Sequence, residues 1–128
     1  PEPMVGLAAM AGGVVRLTRE LGPKRALGLI LSAEIIGADE AYRLGFINEV
    51  CEGPALDAAL RWAAKLARCA PLSLAASRQM AYHALDMDLA TALDPRAHPA
   101  TMQVLASEDA VEGRRAFLER RTPQWKNR

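Results

Sequence analysis

The chain has 128 residues and a mass of 13.8 kDa, a length that favours one domain and allows a hydrophobic core to form. Its composition is 51% hydrophobic and 24% charged, which is typical of a globular protein, and its apolar runs are shorter than the roughly 20 residues of a membrane span. The formal net charge of +1 gives no overall field for binding nucleic acid, although residues 113–128 carry six basic side chains against one acidic side chain.

The first part of the sequence predicts three helices followed by one strand. Apolar residues at helical spacing follow the first glycine pair, and Gly22 suits the position just beyond the end of that helix. Pro23 fits the first turn of a second helix, because the N–H that proline lacks has no partner there. The third helix, "ADEAYRLG", ends at a glycine, and "FINEVC" at 46–51 is the only strong strand candidate.

The rest of the sequence predicts helices only. One helix covers 54–69 with leucines and alanines along one side, and Pro71 begins the next. Helical structure continues over 86–94 until the prolines of "DPRAHP" interrupt it, and a further helix follows. Ser107 is a suitable N-cap for the last helix, with acidic residues after it at the positive end of the helix dipole. This last helix is expected to extend to Pro123.

The two cysteines, Cys51 and Cys69, lie 18 residues apart in apolar surroundings. There is no CxxC motif and no histidine at ligand spacing, so the pattern does not favour a zinc site and we expect no bound metal. The simplest interpretation is that both are buried, reduced thiols in a cytoplasmic protein.

Three blocks of sequence, in order, resemble the motifs of one enzyme superfamily. "PEPMVGLAAMAGGVVRL" resembles P-E-x-x-x-G-(six)-G-x-R-L, and "ADEAYRLGFINEV" resembles A-E-E-A-x-x-x-G-L-V-x-x-V. "SEDAVEGRRAFLERRTPQWKNR" resembles the C-terminal signature S-E-D-x-x-E-G-x-x-A-F-x-E-K-R-x-P-x-W/F-K-G-R. Each block alone is weakly specific, but together they cover the chain from end to end with the right spacing. On these motifs the sequence is identified as a member of the crotonase (enoyl-CoA hydratase/isomerase) superfamily.

The resemblance implies a fold class that is mainly α with minor β, namely the C-terminal half of a crotonase ββα-spiral fold. Residues 1–53 would form the end of the spiral core, and residues 54–128 would form the C-terminal helical region that serves oligomerisation. In the family, the preceding half of the chain supplies both oxyanion-hole amides and one of two catalytic glutamates. We therefore expect this sequence to be a C-terminal fragment, a proteolytic product or one part of a split enzyme, and to be inactive alone.

Hydration of a 2-enoyl thioester needs an activated water at C3, a proton delivered to C2 and stabilisation of the charge on the thioester oxygen. The resemblance places Glu2 at the second catalytic glutamate, which would hold the water and donate a proton to C2. The Met10 backbone amide corresponds to the amide that holds the same water, and Gly12 would permit close approach at a helix N-terminus facing the thioester. From position alone, Glu2 is more simply an exposed acid, and Gly12 with Gly13 a flexible turn.

The loop after Glu2 departs from the family pattern. Many members have a proline and a glycine in "GLxPGAGG", where this chain has "GLAAMAGG". A backbone amide donates a hydrogen bond whether or not the residue is glycine, so the water site remains possible. The Met10 side chain, however, would narrow the acyl pocket. The loop therefore affects the expected acyl-chain length more than the type of reaction.

The C-terminal block is expected to contact coenzyme A. The resemblance places Phe117 and Arg120 at positions that contact the adenine and phosphate region, usually across a subunit boundary. An aromatic side chain beside cations suits a phosphorylated adenosine, and Arg121 and Lys126 would add a diffuse attraction for the phosphates. The alternative is that Phe117 is a core residue of an amphipathic helix beside solvated arginines.

The resemblance as a whole implies an enoyl-CoA hydratase that acts on acyl-CoA thioesters and needs no metal or redox cofactor. Its partners would be the N-terminal half of the same enzyme and further copies in a homo-trimer or hexamer, in the cytoplasm, with neither nucleic acid nor membrane. Two alternatives stay open: a non-catalytic helical interaction module, and another crotonase-type activity such as enoyl-CoA isomerase or a carnitinyl-CoA-type dehydratase. A DNA-binding helix at 114–121 is disfavoured because four acidic residues lie on or beside it.

Overall fold

A computed structural model describes residues 1–128 and contains eight α-helices and two short 3₁₀ helices, which confirms the mainly helical fold class. The α-helices are α1 Gly13–Leu21, α2 Pro23–Ser32, α3 Ala38–Leu44, α4 Ala55–Leu66, α5 Pro71–Ala84, α6 Leu89–Ala92, α7 Pro99–Ala106 and α8 Glu108–Leu118. The 3₁₀ helices are Glu2–Val5 and Pro95–Ala97. None of the helices has the combination of length and apolar composition that a membrane span requires.

Local sequence signals set many of the helix ends. Gly22, with a φ of 75°, separates α1 from α2, and Pro23 and Pro71 occupy the first turns of α2 and α5. Gly45 ends α3 with a φ of 82°, a left-handed conformation that favours glycine. The Ser107 hydroxyl accepts a 3.0 Å hydrogen bond from the Ala110 N–H and so caps α8. These five predicted boundaries are confirmed.

The strand predicted at 46–51 is not formed, and this prediction was wrong. A strand needs a neighbouring strand to pair its N–H and C=O groups, and this chain supplies none. The Phe46 N–H instead donates to the Ala41 carbonyl at 2.9 Å, which completes the end of α3. The apolar residues of this segment therefore follow α3 as irregular backbone.

Two predicted helices are shorter than expected. The segment 86–94 does not continue α5, because the Asp88 carboxylate caps α6 by accepting hydrogen bonds from the Thr91 N–H at 3.0 Å and the Thr91 hydroxyl at 2.6 Å. The last helix ends at Leu118 rather than Pro123. It ends early because Arg120 takes a left-handed conformation, with a φ of 53°, that turns the chain back.

The two cysteines are unpaired, but the prediction that both are buried was wrong. Cys69 is exposed, because it lies in the turn between α4 and α5 rather than on a buried helix face. Cys51 is half-buried, and its thiol lies 3.4 Å from the Gly53 carbonyl.

The structure divides into two compact units, residues 1–58 and residues 59–128. The division falls within α4, whereas the sequence placed it between residues 53 and 54. In the first unit α1 packs against α2, and in the second unit α5 packs against α7, which precedes α8.

The buried apolar residues are all alanines: Ala26, Ala41, Ala58, Ala76 and Ala116. No large side chain is fully buried, and many large apolar side chains are exposed in both units. Each unit therefore presents apolar surface of the kind that usually contacts another protein segment.

Candidate functional site

Glu2 is held at the start of the first unit by a compact turn. The 3₁₀ helix Glu2–Val5 ends at Gly6, whose φ of 75° turns the chain, and the Leu7 N–H donates to the Glu2 carbonyl at 2.9 Å. These contacts fix the Glu2 main chain, while its side chain stays about half exposed, at 45%. The side chain is therefore accessible to a ligand.

Glu2 lies on a cleft of about 550 Å³ within the first unit. Gly12 and Arg16, from the start of α1, line the same cleft, and its remaining wall is mainly apolar. The apolar wall is formed by side chains from α1, α2 and the segments after α2 and α3: Leu17, Leu21, Leu29, Ile30, Ile36 and Phe46. A cleft of this size with a few polar groups on an apolar wall has the character of a small-molecule site.

Glycine is favoured at both positions at the start of α1, for a different structural reason at each. Gly12 has a φ of 99°, a region that residues with a side chain rarely adopt. Gly13 has an ordinary conformation, but a Cβ there would lie only 3.0 Å from the Ala9 Cβ. The loop before α1 thus passes directly over the helix start, and the pair is not merely a flexible turn.

Met10 shares a second, smaller groove of about 440 Å³ with Glu2. Its backbone N–H donates to the Ala8 carbonyl at 2.7 Å, so this hydrogen bond must open before the amide can hold a water. The Met10 side chain is 82% exposed and does not line the larger cleft. The structure therefore brings Glu2 next to both Met10 and Gly12.

The pKa of Glu2 is lowered from its ordinary value of 4.5. The main cause is a hydrogen bond from its own backbone N–H. Glu2 is consequently ionised here. An ionised carboxylate accepts hydrogen bonds, as holding a water molecule requires.

The C-terminal tail, residues 119–128, folds back along α8 in the second unit. The Asp109 side chain is buried, with the residue 2% exposed, and accepts hydrogen bonds from the backbone N–H groups of Lys126 at 2.7 Å and Asn127 at 3.0 Å. Glu112 accepts two hydrogen bonds from Arg121, at 2.6 and 2.8 Å, and one from the Gln124 N–H at 2.8 Å. These contacts lower the pKa of Glu112 to about 2, with Arg121 the largest cause.

Trp125 completes the attachment of the tail. Its indole N–H donates to the Arg68 carbonyl at 2.9 Å, and its ring lies so close to Gly113 that a Cβ there would be 3.3 Å from it. Sequence reasoning treated the acids of α8 only as helix-dipole partners. It missed the attachment because nothing in a linear motif shows that the tail returns to α8.

The predicted CoA-contacting residues also lie in the second unit, at the end of α8. Phe117 is 83% exposed, so in this chain it is not a core residue. Arg120 is exposed and makes no ion pair. Arg121 is paired with Glu112 and Glu119, and Lys126 with Glu108, so the charges expected to attract phosphates at those two positions are offset.

Comparison with known proteins agrees with this description. A family model described as enoyl-CoA hydratase/isomerase matches residues 1–128. The chain is 36% identical over 129 residues to 2,3-dehydroadipyl-CoA hydratase of Escherichia coli K12, covering 100% of this chain and 50% of that protein. It is 34% identical over 135 residues to carnitinyl-CoA dehydratase of the same organism, covering 100% of this chain and 51% of the other.

Solved structures give the same result. The enoyl-CoA hydratase of Mycobacterium tuberculosis H37Rv superimposes with a TM-score of 0.92 at 33% identity, covering 100% of this chain and 51% of the other. Enoyl-CoA hydratase EchA1 of Mycobacterium marinum gives the same TM-score, identity and coverage. The fold thus matches the C-terminal half of a crotonase-type protein. The chain belongs to the enoyl-CoA hydratase/isomerase family, and it spans about half the length of the curated relatives that it matches.

Proposed function

We propose that this chain supplies the C-terminal half of an enoyl-CoA hydratase, which adds water across the double bond of 2-enoyl-CoA thioesters. The observation that carries the proposal is the position of Glu2 on a largely apolar cleft beside Gly12 and the start of α1. The same residues fall in a block that resembles the family's catalytic stretch. An apolar wall can contact an acyl chain, and the carboxylate can hold the water that must attack C3 of that chain.

Each of the groups that the resemblance identifies as catalytic has a proposed role. Ionised Glu2 takes one proton from the attacking water as the remaining hydroxyl group forms a bond to C3, and it passes that same proton to C2, so that the carboxylate is regenerated. The Met10 amide joins in holding the water once its bond to Ala8 opens. The oxyanion donors and the other catalytic glutamate belong to the N-terminal half of the enzyme, so we expect no turnover from this chain alone. No metal or redox cofactor is needed for these steps.

A dehydratase is the second candidate, because several relatives named carnitinyl-CoA dehydratase are 34–35% identical to this chain over its whole length or nearly so. Dehydration of a 3-hydroxyacyl thioester uses the same groups in the reverse direction, so the cleft fits it equally well. An enoyl-CoA isomerase would instead move a proton without consuming water. A non-catalytic helical module would do neither.

The proposed partners follow from the exposed apolar side chains. In the first unit Met4, Leu7 and Ile35 are largely exposed, and we propose that the N-terminal half of the enzyme covers them. In the second unit Leu60 and other exposed leucines would contact further copies in a trimer or hexamer. The free cysteines support a cytoplasmic location within the same proposal.

The test uses the purified protein in the form that the cell makes. A denaturing mass spectrum first shows whether the sequence is part of a longer chain or co-purifies with a second polypeptide. A short 2-enoyl-CoA is then added, and the products are identified. A 3-hydroxyacyl-CoA supports a hydratase, and a shifted double bond without added water identifies an isomerase. An intact assembly with no conversion of either a 2-enoyl-CoA or a 3-hydroxyacyl-CoA contradicts the enzymatic proposal.

A further inference from the structure

Ala33 lies in the turn that follows α2 and has a left-handed backbone conformation, with a φ of 54°. A residue with a Cβ is strained in this conformation, because the Cβ approaches the carbonyl oxygen that follows it. Arg120 and Asn127 are the other non-glycine residues with a positive φ, and both lie in the C-terminal tail. Ala33 is therefore the one such residue in the first unit.

The turn after α2 does not need an alanine at this position. The Ser32 hydroxyl accepts a hydrogen bond from the Glu34 N–H at 3.3 Å and donates one to the Leu29 carbonyl at 3.4 Å. These contacts hold the backbone on both sides of residue 33, and they do not involve its side chain. Glycine would form the same turn with less strain, so the methyl group of Ala33 is present at a cost in stability.

Ala33 also borders the cleft of about 550 Å³ on which Glu2 lies. Leu29 from α2 and Ile36 from the segment after it belong to the apolar wall of the same cleft. Glu34 is exposed and borders the cleft as well, so the apolar wall meets a charged residue at this turn. A strained residue on the wall of a candidate site suggests that its side chain has a function there.

We propose that the methyl group of Ala33 limits the length of the acyl chain that the cleft accepts, so that the enzyme favours short acyl-CoA thioesters. A methyl group has nearly the size of one methylene of an alkyl chain, and close packing makes a difference of this size decide whether a further methylene fits. The inference rests on the proposed function, because it requires an acyl chain in the cleft. Ala33 lies outside the three motifs that carried the family resemblance.

The test measures the affinity of the protein, in the form that the cell makes, for butyryl-CoA and octanoyl-CoA by calorimetry. Both acyl chains are saturated and cannot be hydrated, so binding is measured without turnover. In Ala33→Gly we expect octanoyl-CoA to bind at least about fourfold more tightly, the effect of burying one further methylene, with the affinity for butyryl-CoA unchanged. An octanoyl-to-butyryl affinity ratio equal to that of the wild type overturns the proposal.

A control variant separates the size of the cleft from the relief of strain. Asn127→Gly makes the corresponding change at a φ of 59° in the C-terminal tail, outside the cleft. Ala33→Gly is expected to raise the melting temperature more than Asn127→Gly, because asparagine adopts this conformation more readily than alanine. Only Ala33→Gly is expected to change the affinity ratio. An equal change of the ratio in both variants would mean that stability, not the methyl group in the cleft, determines it, and the proposal would be rejected.

The role of Ala33 and the proposed function can fail separately. If the wild type binds both acyl-CoAs but does not hydrate a short 2-enoyl-CoA, the hydratase proposal fails, whereas the affinity ratio still decides the role of Ala33. If the wild type binds and hydrates, an unchanged ratio in Ala33→Gly rejects the role of Ala33 alone. A protein that binds neither acyl-CoA contradicts both proposals.

Discussion

The Trp125 indole N–H donates a 2.9 Å hydrogen bond to the main-chain carbonyl of Arg68, a residue 57 positions earlier in the chain. The carbonyl follows the end of α4, where helix geometry leaves C=O groups without partners. The Trp125 ring meanwhile contacts the α8 backbone at Gly113. One side chain thus joins the C-terminal tail to two helices of the second unit.

Removing this hydrogen bond is expected to weaken the second unit. Trp125→Phe keeps an aromatic ring against α8 but deletes the donor to the Arg68 carbonyl. We expect the free energy of unfolding to fall by about 1 kcal/mol, the usual contribution of one such bond. Urea denaturation of both proteins measures the difference, and a variant as stable as the wild type would show that water replaces the indole at no cost.

Close packing at Gly113 gives a second prediction. Alanine in place of glycine inside a helix normally stabilises a protein by up to about 1 kcal/mol. At Gly113 the new Cβ would lie 3.3 Å from the Trp125 ring, so Gly113→Ala is expected to lose that gain or to destabilise the protein.

The matched control is Gly28→Ala, inside α2, where no atom lies within 4 Å of the added Cβ. This control is expected to show the gain that Gly113→Ala lacks. Melting temperatures of the two variants test the difference. Equal stabilisation by both substitutions would contradict the packing of Trp125 on α8.

Glu112 should make the stability of the protein depend on pH. Its pKa is about 2 in the folded chain against an ordinary value of 4.5, so folding favours the ionised form. The stabilisation is complete above pH 4.5 and is lost progressively as the pH falls towards 2. Glu112→Gln is expected to lower stability at neutral pH and to flatten this part of the acid denaturation curve.

The control for this pH dependence is Glu108→Gln, which removes exposed ion pairs to Lys126 and Arg128. Exposed pairs contribute little to stability, so we expect a smaller change at neutral pH. Chemical denaturation across the acid range gives both curves. Identical curves for the two variants would show that Glu112 is not the main attachment of the tail.

Local signals in the sequence were sufficient for many of the helix ends and for part of the cleft. Gly45 and Ser107 end and begin helices through contacts within a few residues, and such contacts are visible in the sequence. Gly12 was singled out by its motif, and its φ of 99° supplies a physical reason for glycine at that position. The site residues carried by the motif, Glu2 and Met10, do border a common groove.

Features that depend on distant segments could not be predicted. The strand at 46–51 failed because pairing needs a second strand, which the pattern of one segment does not provide. The burial of Asp109 depends on the return of the tail 17 residues later, where the Lys126 N–H meets its carboxylate. Cys69 has apolar neighbours in the sequence, which predicted burial, but it lies in an exposed turn.

The central claim is that Glu2 holds the attacking water and delivers the proton to C2 in a hydration reaction. Glu2→Gln keeps the size of the side chain and removes its charge, and Glu20→Gln makes the same change at an exposed position of α1 outside the cleft. The measurement is the rate of hydration of a short 2-enoyl-CoA by the complete enzyme, with thioester affinity measured in parallel. We predict that Glu2→Gln lowers the rate by about 10²–10⁴-fold with affinity nearly unchanged, while Glu20→Gln is unaffected. Turnover of Glu2→Gln close to that of the wild type would contradict the account.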